Sequence, residues 1–356
     1  MKTYIILVFT IVALWSCETS PEERKALLPD STGQLTELVV VVDTRTADSL
    51  FKERVSDVFR KRIEGHPPPG EAMFSVLFAD ETFFQGFFQK HRNIIVLLNL
   101  ENIERLKKIL PTSTLDKLVS LRAKKPGTFG VLQEDVFAKN QKMFYVLANN
   151  KAEMDTVLQE SRYQILELAL KHENITGKRR LLGTIHPKDD VFYQKCIKEK
   201  NFGIRKPESY RIAIDNEELV WLRKSSTTSE LEQGLLMYEA PYRSIDDLST
   251  DSLLKFRNEW VKKYIPGEIE GSYMKYSDAL TPVRKDQDFK EKIGVEIRGW
   301  WDVEGDFMGG PSYIRAVVDE SRGRIVFAEG FVFYPNEDKA RPMRELEILV
   351  NTLSIK

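Results

Sequence analysis

The chain is poor in the residues from which covalent and metal sites are built. Its 356 residues include two cysteines and four histidines. Cys17 closes an N-terminal apolar run, which leaves Cys196 as the thiol of the body, and one thiol cannot close an internal disulfide. Packing is its expected role. His66, His91, His172 and His186 fall in neither an HxH nor an HExxH spacing, so no local zinc site is expected, and no cofactor. The absence of a GxSxG elbow argues against a lipase or esterase of that type. A formal net charge of −1 leaves no electrostatic footprint for nucleic acid, and Lys178-Arg179-Arg180 reads as a solvated loop. No apolar stretch of the body approaches the roughly 20 residues that cross a bilayer as a helix.

What is present begins at the N-terminus. Tyr4 to Trp15 is apolar apart from Thr10 and follows Lys2, which gives the charged and hydrophobic regions of a secretory signal. The run stops at Leu14-Trp15-Ser16-Cys17, an aliphatic residue three before a cysteine and a small one directly before it, the pattern of a bacterial lipobox. Residues 1–16 are therefore expected to be a lipoprotein signal peptide, with Cys17 the acylated first residue of the mature chain. Each buried methylene adds about 0.8 kcal/mol, so several acyl chains hold a protein on a membrane without a spanning helix. Residues 17–34, with Pro21 and Pro29 among Ser, Thr, Glu and Gly, read as a flexible tether reaching roughly 20–25 Å.

The body alternates strand and helix signals. Leu38–Asp43 is a β-branched run of strand length, and Phe51, Val55, Val58, Phe59 and Ile63 then share one helical face behind Asp48 or Ser49. Met73–Phe78 and Asn93–Leu100 read as strands, residues 102–123 as two short helices, 129–148 as a hairpin, and Met154 to Ala169 as a long helix. The second half repeats this order. DSLFKER at 48–54 returns as DSLLKFR at 251–257, again after a strand and again opening an amphipathic helix; strands, a hairpin and a closing helix with Met343, Leu346, Leu349, Val350 and Leu353 follow. The expected fold class is α+β: two tandem, pseudo-symmetric units of antiparallel sheet with helices packed on one face. The first unit spans 35–172, the second 208–356, and a connector with a Pro187-capped helix spans 173–207.

Gly294 to Pro311, GVEIRGWWDVEGDFMGGP, is the segment richest in binding chemistry. With period two, Val295, Ile297, Gly299, Trp301 and Val303 point to the core, and Glu296, Arg298, Trp300, Asp302 and Glu304 point away. The second set predicts a cross-strand ion-pair row on a solvated face, or a ligand platform of Arg298, Trp300, Asp302, Glu304 and Met308 on which Trp300 stacks and the carboxylates accept hydrogen bonds. Asp302 and Glu304 are also the carboxylates that a hydrolase acting on envelope glycan or peptide would use, though both come from one wall. Ser272-Tyr-Met-Lys275 matches SxxK, but on a strand its Ser and Lys point apart and no KTG follows. Gly65-His-Pro-Pro-Pro-Gly70 lacks the lysine and the amide donors of a phosphate loop.

The lipobox, the overall length, the Gly299-Trp-Trp-Asp302 and Met308-Gly-Gly-Pro311 blocks and the closing helix resemble an uncharacterised lipoprotein family of Bacteroidota-type envelopes, known as a domain of unknown function. The layout of the second unit is also similar to PsbP-like folds. The resemblance implies location and supplies no catalytic residue. The resulting expectation is a lipid-anchored, non-enzymatic binding or assembly module on the periplasmic side of the outer membrane, with an envelope protein or small ligand as partner.

Overall fold

The computed structural model describes residues 25–125, 130–267 and 269–356, so Cys17 and the signal before it lie outside the described residues. Helices and strands are mixed throughout, and the α+β class holds. The first half is built on β1 (Glu37–Val42), α1 (Ser49–Phe59), β2 (Ser75–Ala79), β3 (Asn93–Asn99), α2 (Thr112–Lys124), β4 (Gly130–Glu134), β5 (Lys142–Ala148), α3 (Lys151–Glu160) and α4 (Arg162–Leu182). Asp48 starts α1 by accepting a bond from the Phe51 N–H, which satisfies a donor that the first turn leaves open.

The antiparallel sheet expected here is corrected by the pairing. In the order β2-β1-β3-β5-β4, β1 runs parallel to β2 and β3, and β3 parallel to β5; the β4 edge strand is antiparallel. The physical reason lies in burial. Every residue of β3 and of β5 is buried, as central strands of a sheet covered on both faces must be. One face packs Phe51, Val55 and Phe59 of α1 with Met154, Leu158, Ile165, Leu166 and Ala169 of α3 and α4; the other packs Leu115 and Leu118 of α2.

The second half follows α5 (Val191–Lys200), capped by Asp190, and the short β6 (Phe202–Gly203). It comprises β7 (Arg211–Asp215), β8 (Leu219–Ser225), β9 (Glu232–Pro241), α6 (Thr250–Tyr264), β10 (Tyr273–Tyr276), β11 (Val283–Asp286), β12 (Gly294–Glu304), β13 (Asp306–Asp319), β14 (Arg324–Phe333), α7 (Ala340–Val350) and β15 (Ser354–Ile355). Here the sheet is antiparallel as expected, in the order β10-β12-β13-β14-β9-β8-β7, with β11 also on β12. Helices again cover both faces. Leu253, Arg257 and Val261 of α6 lie on one side, and Met343, Leu346, Leu349 and Val350 of α7 on the other. The units thus differ in strand order and direction, so the pseudo-symmetry read from the shared heptapeptide does not extend to the sheets.

Other boundaries move for identifiable reasons. Pro29 to Thr32 is not free tether, because its backbone pairs with Lys139, Lys90 and Arg92, and Leu35 is buried. The long helix breaks at Ser161, and α4 then continues to Leu182, carrying Lys178, Arg179 and Arg180 on its last turns rather than in a loop.

Candidate functional site

Strand β12 has the two faces its alternation predicts, and each meets something definite. On the face away from α6, Glu296 ion-pairs with Arg315, its register partner on β13. The Arg298 guanidinium pairs with Glu347 of α7 and lies 4.4 Å from the centre of the Tyr313 ring. Burial works to raise the Glu347 pKa, but Arg298 and Arg344 outweigh it, and the group stays below its ordinary value. The face is covered, rather than open to water.

The cover also comes from the first half. Gly65 has φ +81°, and a Cβ there would stand 2.7 Å from the Arg298 carbonyl carbon, so glycine alone permits the chain to lie on β12. The next residue, His66, sets its ring edge-on to Trp300 at 6.2 Å. Burial pushes its pKa down to about 4, and its Nδ1, 4.0 Å from Glu71 Oε1, has no hydrogen-bond partner among the described residues. Glu71 Oε2 accepts the Lys339 N–H at 2.8 Å and Asp338 Oδ1 accepts the Ala340 N–H at 2.9 Å, so both carboxyls meet at the start of α7. Burial and the bond to Asp338 raise the Glu71 pKa to about 8. The 65–71 loop, which the sequence showed not to be a phosphate loop, is the clasp between the halves. A second close approach lies at Gly177 of α4, whose added Cβ would meet Ile348 at 2.6 Å and Leu35 at 2.8 Å.

The opposite face of β12 ends in a pocket. Past Trp301 the register slips between Asp302 and Val303, and a cavity of about 210 Å³ opens between the ends of β8, β9, β12 and β14 and the chain leaving α6. Trp221, Trp301, Phe331, Phe333, Met274, Met308, Ile265 and Val303 line it. Trp301 donates its Nε1–H to the Val332 carbonyl at 3.2 Å and meets Phe331 edge-on at 5.6 Å. Trp221 Nε1 is buried with no partner among the described residues. At the rim, Arg223 lies 5.2 Å over the Trp221 ring and bonds Glu232 at 2.9 Å.

The five residues expected on one platform are therefore divided. Met308 enters the pocket, while Arg298 and Trp300 belong to the clasp. Glu304 is tied to Lys275 at 2.9 Å, and Asp302 Oδ1 is buried without a partner among the described residues. Ser272 Oγ donates to the Ile269 carbonyl while Lys275 holds Glu304 and Asp278, so the SxxK pair is used apart. Among the described residues no group of His, Cys, Asp and Glu is placed to hold a metal ion. Cys196 is buried, and burial lifts its pKa to about 11.

Sequence reading missed Trp221, Arg223, Phe331 and Phe333. The available signal was the Phe331-Val332-Phe333 run that keeps β14 aromatic to its last residue, where a strand leaving the core normally turns polar, whereas β8 closes on Arg-Lys-Ser and gave none.

Residues 31–181 and 190–352 match two domains of unknown function, DUF8532 and DUF4837 respectively. No curated protein matches the chain. Among solved structures it is similar to LpqN of Mycobacterium tuberculosis, described as involved in cell envelope biogenesis, at 11% identity over 44% of this chain and 83% of that one, with a TM-score of 0.26. No described helix is long and apolar enough to cross a membrane.

Proposed function

We propose that this chain is a lipoprotein of the cell envelope, anchored through Cys17 on the periplasmic side of the outer membrane, and that it works as a binding module. Its ligand enters the pocket at the end of β12. The observation that carries the binding reading is a concave, aromatic-lined cavity holding a buried indole N–H with no partner among the described residues. An apolar ring or a short alkyl segment matches the volume, since an apolar cavity of about 150 Å³ already accepts benzene. An acceptor oxygen on that group would satisfy Trp221, and an anionic end would meet Arg223. Asp302 and Glu304 take no part in this role. The anchor rests on the lipobox sequence.

Anilinonaphthalene sulfonate, an apolar ring system with an anionic end, is a direct probe. Replacing Met308 by Trp fills the cavity from its rim. The variant should keep the unfolding midpoint of the parent and bind the dye at least tenfold more weakly, read by fluorescence titration. Undiminished binding by a folded Met308→Trp variant overturns the assignment of the pocket. Incorporation of radiolabelled palmitate, abolished by Cys17→Ala, reads the anchor separately.

A further inference from the structure

The chain enters the folded body at a fixed place, and that place has an unusual surface. Lys139 donates its N–H to the Pro29 carbonyl at 2.8 Å, Thr32 bonds to Lys90 at 2.9 Å and Arg92 to Thr32 at 3.0 Å. Beside this lashing, Leu27 and Phe87 are 78% and 47% exposed. The loops that carry them are tied together: Thr32 Oγ1 donates to the Phe87 carbonyl, and the Gln141 side chain donates to the Gln89 and His91 carbonyls. Between them lies a cleft of about 550 Å³ lined by Ser31, Thr32, Phe87, Asn140, Arg179 and Arg180. Arg179 gives one N–H to Asn140 Oδ1 at 2.6 Å, out of the five a guanidinium carries.

Cations crowd this face. Burial and then the charges of Arg179 and Lys25 hold the Lys142 pKa below its ordinary value. Most nearby carboxylates are already engaged: Glu134 by Lys142, Asp135 by Lys25, Glu173 by Arg92, and Glu37 by His91 at 3.6 Å. Asp30 faces the cleft as well. Against it stand Lys90, Arg179 and Arg180, all exposed.

We infer that this face docks on a bilayer, with Arg179, Arg180 and Lys90 on the phosphates of anionic lipid headgroups and Phe87 and Leu27 at the acyl boundary. The inference rests on the proposed Cys17 anchor for its geometry. Lys25 lies eight Cα–Cα steps after Cys17, and such a chain spans at most about 28 Å however it is folded. The face carrying the entry point is thus the one the anchor brings closest to the membrane, and exposed aromatic and basic side chains together are what an interface binds. Phe307 is still more exposed at 106%, but it sits beside Asp306 and near Glu304, which an anionic surface would repel.

The test uses the chain from residue 17 with Cys17→Ser, so that no acyl group contributes, sedimented with vesicles of phosphatidylcholine alone or with one quarter phosphatidylglycerol. Binding to the anionic vesicles is expected and should disappear in about 1 M salt, where screening acts within about 3 Å. Neutralising Lys90 and Arg179 together with Gln should weaken it about twenty-fivefold, at roughly fivefold per cation. Phe87→Ser should weaken it further, and Phe307→Ser should change nothing. Equal binding to both vesicle types, no binding, or anionic binding that survives Lys90→Gln with Arg179→Gln in a protein of unchanged circular dichroism overturns the inference. Palmitate labelling of the native chain is independent of all these outcomes, so the anchor can stand while the docking face falls.

Discussion

DSLFKER and DSLLKFR open two amphipathic helices, yet the arginines that close them end in opposite surroundings. Arg54 of α1 holds Asp155 through three bonds of 2.8 to 3.1 Å on a surface where the two side chains are 39% and 33% exposed. Arg257 of α6 is wholly buried, bonded to an equally buried Glu329, which also takes hydrogens from Ser312 and Tyr238. The offset begins at the caps. Asp48 is itself the cap of α1, whereas Ser249 caps α6 and Asp251 lies inside its first turn. The two heptapeptides, alike at five of seven positions, therefore enter their helices at different points, and a buried strand carboxylate awaits one arginine where a half-exposed helix carboxylate awaits the other. Local sequence set the helix, and its neighbours set what the helix is for.

This contrast orders the expected stabilities. Glu329→Ala leaves the Arg257 charge uncompensated in the interior and should cost about 3–5 kcal/mol in urea unfolding. A loss below about 1 kcal/mol would mean that water reaches the site. The clasp between the halves comes next, and its signature is a pH dependence. Glu71 has a folded pKa of about 8 against an ordinary 4.5, so its contribution is fully present below pH 4.5 and is lost as pH rises through 8. His66, at about 4 against 6.5, works the other way, its contribution fading as pH falls from 6.5 towards 4. The two oppose each other between pH 4.5 and 6.5, and above 6.5 Glu71 acts alone. Unfolding stability should therefore decline from pH 6.5 to 9, and Glu71→Gln should flatten that decline. Arg54→Ala should have the smallest effect, under about 1 kcal/mol and shrinking with added salt, as half-exposed pairs do.

Much of the fold was legible because periodicity reports on burial. Leu38–Val42, Asn93–Asn99 and the 142–148 strand were readable as strands, and the amphipathic spacing of α1, α6 and α7 was explicit. Strand direction was misread, although the signal was present: β3 and β5 are unbroken apolar runs without a solvent-facing alternate, which mark a sheet covered on both sides. The two faces of β12 were assigned correctly, but what covers the charged one was not, since Gly65, His66 and Glu71 lie more than 200 residues earlier in the chain and no local pattern announces the meeting. The pocket was half visible through Met308; Trp221 of β8 and Phe331 and Phe333 of β14 come to it from two strands that only the sheet brings together.

The lead-in to β1 has a mechanical consequence. Arg180 holds the Gly33 carbonyl, Glu173 accepts the Thr36 N–H at 2.6 Å, and Leu35 lies against Gly177, on whose other side stands Ile348 of α7. Helix α4, about 30 Å long, sends Ile165 and Leu166 into one core and Leu182 into the other. Under the proposed Cys17 anchor, a pull entering at Pro29 is thus delivered at the keystone of the molecule rather than at its rim, and both halves bear the load at once.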